Sequence, residues 1–256
     1  MSTDAQAPGD GMSEDTAHIL SHLSELRRRI IYSLVSLIVL AAVAFAFYEP
    51  LIELLKRPFD HVALSGEVSS RLVVHTVTEG FLVRLRVAAL GGVILALPII
   101  GYNVLRFIFP GLYPRERKAV ATALAASAAL AIGGFVYSYM QLLPISLRFL
   151  TESGFIPDDV GVILSYRESL GFVLQILLIT VLLFQLPVVV LLLLKLNVLE
   201  RATALKAGPY VLVALFTLSA VLTPPDIISQ VGLAIPLGGL YFLAILVARI
   251  FRLGEG

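Results

Sequence analysis

The chain has no cysteine, so disulfides, thiolate catalysis and cysteine metal sites are excluded. Charge is scarce: Asp, Glu, Lys and Arg make up 14% of 256 residues, against roughly a quarter in soluble domains. The four histidines, His18, His22, His61 and His75, form no H-E-x-x-H pair, and there is no G-x-S-x-G elbow. His18 and His22 are four apart but have no third ligand nearby. No glycine-rich loop suits a phosphate, so nucleotide and nucleic-acid chemistry are not indicated. The first residues, MSTDAQAPGDGM, lack the basic-then-apolar pattern of a secretory signal, and residues 1–12 read as a disordered tail with Met12 a second candidate start. Nothing calls for a cofactor, and the composition does not point to an enzyme.

What is present is apolar sequence, 58% of the chain, in blocks of roughly 17 to 25 residues. That length crosses a bilayer core, and the alternation of a β-barrel is absent. The expectation is an all-α integral membrane protein, one domain over residues 13–252. Its six transmembrane helices run over about 30–48, 78–109, 119–143, 169–194, 207–222 and 226–247, and residues 253–256 form a C-terminal tail. Ser13 to Arg29 reads as an amphipathic N-terminal helix lying in the interface, with Ser13 as N-cap and Ile19, Leu20, Leu23 and Leu26 as its apolar stripe. LIELLKRPF suggests a short helix that stops before Pro58. Arg71 to Val77 is apolar and β-branched. Pro98, Pro187 and Pro236 lie inside spans, and Pro98 predicts a kink. Gly133 and Gly134 allow close helix contact. The fifth span, Ala207 to Leu222, covers only about 24 Å.

Basic residues set the predicted topology. With the N-terminus inside, twelve lysines and arginines fall in cytoplasmic segments and seven in the longer outer ones, Arg84 and Arg86 snorkelling among these. Both termini are therefore expected in the cytoplasm.

No Asp, Glu, Lys, Arg or His falls in the middle of a span, and Gln185 is the strongest polar residue there. A solute or ion carrier normally places charge at mid-membrane, yet the prolines in LALPII, FQLPVV and LAIPLG keep that alternative open. Two acids stand out: Glu25, before Arg27, Arg28 and Arg29, and Glu116, in the loop FIFPGLYPRERK (Phe107 to Lys118). Local ion pairs account for both. So does a shared groove in which each carboxylate grips a guanidinium through two hydrogen bonds.

Several motifs then occur in a fixed order: HLSELRRR (His22 to Arg29), FIFPGLYPRERK, GPYVL (Gly208 to Leu212), LTPPDIISQ (Leu222 to Gln230) and LAIP (Leu233 to Pro236). From about Ser13 to Arg252 the chain resembles the TatC family, the multispanning subunit of the twin-arginine protein translocase. The resemblance implies recognition of twin-arginine signal peptides at the cytoplasmic face of a bacterial inner membrane. It also implies export of folded cargo driven by the proton-motive force, with single-span TatA and TatB-type partners in an oligomeric complex. The glutamates matching Glu25 and Glu116 bind the signal arginines, with Arg27 and Phe107 beside them. Pro58 matches a proline of the first outer loop, and Thr78, Glu79 and Phe81 match a T-E-x-F pattern. Asp226 and Gln230 match polar residues that contact partner spans, whereas Thr223-Pro-Pro-Asp226 also reads as a helix start. Many members carry a glutamate where Gln185 stands, so a proton-linked role there is not carried over.

Overall fold

A computed structural model describes residues 10–63, 69–108, 114–152, 163–222 and 227–254, and within these the side chains of 10–19, 21, 60–63, 69–71, 114–120, 151, 152, 163 and 222 are not described. Nine α-helices and two short strands appear among the described residues. They are α1 (Asp10–Ala46), α2 (Tyr48–Ala63), β1 (Ser69–Val73), α3 (Glu79–Ile108) and α4 (Pro114–Tyr137). A π-turn (Ser138–Leu142) leads into α5 (Leu143–Glu152), β2 (Ile163–Ser165), α6 (Tyr166–Leu183), α7 (Leu186–Lys195), α8 (Arg201–Leu222) and α9 (Ile227–Ile250). Six stretches are long and apolar enough to cross a membrane: His22–Ala46, Glu79–Ile108, Ala121–Leu150, Tyr166–Lys195, Arg201–Val221 and Ile227–Ile250.

Three boundaries differ from expectation. The N-terminal helix is not a separate interfacial piece; α1 starts at Asp10, not at a Ser13 cap, and runs unbroken into the first span. No glycine or proline interrupts residues 13–46, so nothing ends the helical ladder there. The third span does not end at Leu143, because the chain continues through α5 to Glu152. The fifth helix starts earlier than the expected span, because α8 begins at Arg201 and its 22 residues rise about 33 Å. Only its apolar portion is short.

At the centre stands α6. Leu170, Val173, Leu174, Ile176, Leu177 and Val181 are all buried, and α3, α4, the π-turn and α2 pack against α6. α1 packs on α3 and leaves most of its apolar surface exposed. The two helices meet closely at Gly92, where a Cβ would lie 2.6 Å from the Cα of Ala41. A Cβ at Gly134 of α4 would lie 2.8 Å from the ring of Phe184, at the break between α6 and α7. At the other end of the chain Gly254 takes φ +67°, and its carbonyl accepts from the N–H of Arg201 at 3.1 Å, closing the tail onto the α7–α8 turn. The strands pair in parallel (Ser69 opposite Ile163, Val73 opposite Ser165) with an irregular register, joining the two long connections.

The prolines explain two interhelical bonds. Pro58 does not stop α2 but lies inside it. A proline has no N–H, so the carbonyl four residues earlier loses its helical donor. For Pro58 that carbonyl is Leu54, and the hydroxyl of Tyr139 donates to it at 2.8 Å. For Pro236, inside α9, it is Gly232, and Tyr137 donates to it at 2.5 Å. One turn of the α4–α5 junction thus supplies both missing donors. Pro144 follows the π-turn, in which the Leu143 N–H reaches back to Ser138. Pro187 lies in the first turn of α7, just after the break at Phe184 and Gln185. Pro98 lies within a continuous α3.

Candidate functional site

The residues singled out in the sequence fall into three groups. The first is where α1 meets the end of α3. His22 stacks on Phe107, with ring centroids 4.5 Å apart and planes at 26°. Residues 22, 25 and 29 follow i, i+3, i+7 spacing and share one helical face. Glu25 therefore lies on the side of α1 that meets Phe107. Its Oε1 accepts from Nη2 of Arg29 at 3.2 Å, so the local-pairing reading is realised for Glu25. The pair is partly open to solvent, the carboxylate side chain 30% exposed. An i,i+4 pair of this kind contributes only about 0.3–0.5 kcal/mol, so an incoming guanidinium can displace Arg29 at little cost.

Arg27, two residues from Glu25, is rotated by about 200° around the helix. It lines a different, open groove with Leu23, Ser24, Arg28 and Tyr32, where the Arg28 Nε donates to the Tyr32 hydroxyl at 3.0 Å. The structure thus assembles Glu25 with Phe107 and leaves Arg27 on the other side of α1. Glu116 lies in the first turn of α4, which opens with Pro114. Its side chain and residues 109–113 lie outside what is described.

The second group is at mid-membrane. Gln185, at the α6–α7 break, binds Ser127 of α4 twice. The Ser127 hydroxyl donates to Oε1 at 2.8 Å, and Nε2 donates to the Ser127 carbonyl at 3.2 Å. Both amide atoms are satisfied within the protein, so Gln185 is a helix-to-helix tie.

The third group is the α8–α9 hairpin. Gln230 donates from Nε2 to the Phe216 carbonyl at 3.1 Å. Ser146 and Ser229, both fully buried, hydrogen-bond to each other and join α5 to α9. Thr223 and Asp226 lie outside the described residues.

Glu79 carries more than its motif suggested. Its side chain is 5% exposed. One oxygen accepts from the backbone N–H of His75 at 2.8 Å and of Thr76 at 3.4 Å, and the other from that of Arg167 at 2.9 Å. The carboxylate therefore ties the connection before α3 to the start of α6. Arg167 is 88 positions away, and no local pattern signals it. No group of three or more histidines, aspartates and glutamates suited to a metal occurs among the described residues.

A family profile described as Sec-independent protein translocase protein (TatC) matches residues 21–236. The Sec-independent protein translocase protein TatC of Carboxydothermus hydrogenoformans is 32% identical over 94% of this chain and 96% of its own. That of Escherichia coli K12 is 30% identical over 95% and 92%. A crystal structure of the twin arginine translocase receptor TatC in DDM matches with a TM-score of 0.77 at 32% identity, covering 88% of this chain and 98% of that one.

Proposed function

The chain belongs to the TatC family of Sec-independent protein translocase proteins, and on that premise we propose that it receives twin-arginine signal peptides on the surface formed by Glu25, Phe107 and the Glu116 turn. The observation that carries this is the stacking of His22 on Phe107, which sets the Glu25 face of α1 against the end of α3. Each carboxylate takes one guanidinium. A charge-assisted hydrogen bond contributes roughly 1.5–3 kcal/mol when partly desolvated. Two such clamps give reversible binding with a strong preference for paired arginines over lysines, which lack the planar fork. Arg27, on the far side of α1, contributes positive charge near the membrane surface.

In this reading both termini are cytoplasmic, following the excess of basic residues in those segments. The protein is a multi-pass component of a bacterial inner-membrane translocase, and it does no chemistry of its own. Folded cargo crosses under the proton-motive force with TatA and TatB-type single-span partners, several copies of the chain acting together. The exposed faces of α8 and α9, with Val213, Val221, Ile227 and Ile235 outward, suit partner spans, and Thr223 and Asp226 belong to the same proposed contact by their match to the family. A carrier of small solutes, the competing expectation, draws no support from the family.

Export of a folded reporter bearing an Arg-Arg signal tests the proposal. Glu25→Ala and Glu116→Ala should each reduce export, and Lys at either position should reduce it further through repulsion. Unchanged export in all four variants would refute the assignment.

A further inference from the structure

We propose that the groove between α2, α3, α4 and α6 holds one acyl chain of a membrane phospholipid whose phosphate is gripped by Arg84. The groove encloses about 370 Å³ and is lined only by apolar side chains, among them Leu51 and Leu55 of α2, Val87 and Pro98 of α3, Ala128 of α4 and Leu174 of α6. It is open on one side, at the level of the membrane spans. Apolar walls offer water no hydrogen-bond partners, and a hydrocarbon chain restores the dispersion contacts that an unfilled groove forfeits.

The size selects the occupant. From Val87 to Pro98 the α3 axis rises about 16 Å, the length over which the groove runs along α3. A single hydrocarbon chain fits lengthwise.

The charge selects the headgroup. Arg84 lies one turn beyond Val87 on the same face of α3, at the end of the groove nearest the α1–α2 junction. Its guanidinium lies 4.4 Å from the Phe45 ring centroid and 5.0 Å from that of Tyr48. Nη2 donates to the Phe45 carbonyl at 3.4 Å, but Nε is buried and donates to no acceptor among the described residues. No described carboxylate lies within ion-pairing distance of it. A half-buried cation without an anion is unfavourable, and the guanidinium fork matches two phosphate oxygens. The two aromatic rings hold the cation in place. Arg84 thus acts as more than a snorkelling side chain. This inference stands apart from the signal-peptide reading, because it uses neither Glu25 nor Glu116.

Native mass spectrometry of the delipidated full-length protein, titrated with phosphatidylglycerol, tests it. One lipid should be retained saturably, and Arg84→Gln should weaken that retention about tenfold. Arg84→Lys should recover only part of it, since lysine keeps the charge but lacks the fork. Ala128→Phe, which fills the groove, should abolish it. A diacylglycerol with the same chains should bind more weakly to the wild type and be indifferent to Arg84→Gln. Should Arg84→Gln not fold, Ala128→Phe and the diacylglycerol comparison decide. Equal retention by wild type and Ala128→Phe, or equal binding of phospholipid and diacylglycerol, would overturn the proposal. So would undiminished cross-linking of Ile132→Cys, at a residue that also lines the groove, to a signal peptide or partner span in saturating phospholipid.

Discussion

Tyr139→Phe removes one oxygen atom and leaves the ring in place. The lost hydroxyl is the donor to the Leu54 carbonyl, at 2.8 Å. In an ordinary helix that carbonyl has a second chance, because residue 58 donates to it. Here residue 58 is proline, so the carbonyl is left without its helical donor. Leaving a buried acceptor unmet costs about 1–3 kcal/mol. Leu54 is only partly buried, at the groove's edge, which places the cost at about 1–2 kcal/mol, or a fall in Tm of roughly 2–8 °C for a chain of this size. The decisive comparison is a double-mutant cycle with Pro58→Ala. Alanine restores the helical N–H, so in that background Tyr139→Phe should cost less than about 0.5 kcal/mol. Thermal melts of the four proteins in one detergent measure this. Equal losses in both backgrounds would refute the idea that the tyrosine answers the proline.

The same cycle on Tyr137 and Pro236 should show coupling of the same sign, since Tyr137 supplies the donor that Gly232 lacks. Gly92→Leu should separate α1 from α3, because even a Cβ meets Ala41 at 2.6 Å; a loss of about 1–3 kcal/mol is expected in melting experiments. Gln185→Leu leaves Ser127 of α4 without its side-chain partner and should lower stability by about 0.6–1.7 kcal/mol, whereas Gln185→Leu combined with Ser127→Ala should add little more. Glu79→Gln keeps one carbonyl oxygen but replaces the other with a donor facing a backbone N–H. Faster hydrogen exchange at residues 75–76 and 167 should follow, with α8 unaffected.

The number and order of the membrane-crossing helices were legible because hydropathy and length carry that signal directly. The element boundaries were less so, and the reasons are specific. Composition changes at Arg29 and suggests a division of α1 there, but the helical ladder depends on backbone donors and no residue interrupts them. Local rules end α2 at Pro58. It continues because Leu55 and Phe59 are buried against the core and a tyrosine 85 positions away replaces the missing donor. Pro144 suggests an end to the third span, but the π-turn before it accommodates the proline. At the site, Glu25 and Phe107 were legible as types in motifs, but their meeting through His22 is a long-range contact. The rotation that separates Arg27 from Glu25 follows from helical geometry alone and was available in the sequence.

The most direct test of the central claim is the affinity of the purified protein for a twin-arginine signal peptide, measured by fluorescence anisotropy. Glu25→Ala and Glu116→Ala should each weaken binding about tenfold or more, and a Lys-Lys peptide should bind the wild type at least as weakly. Replacing both acids should bring the two peptides to equal, weak affinity. If the double variant still prefers Arg-Arg over Lys-Lys as strongly as the wild type, Glu25 and Glu116 do not read the arginines.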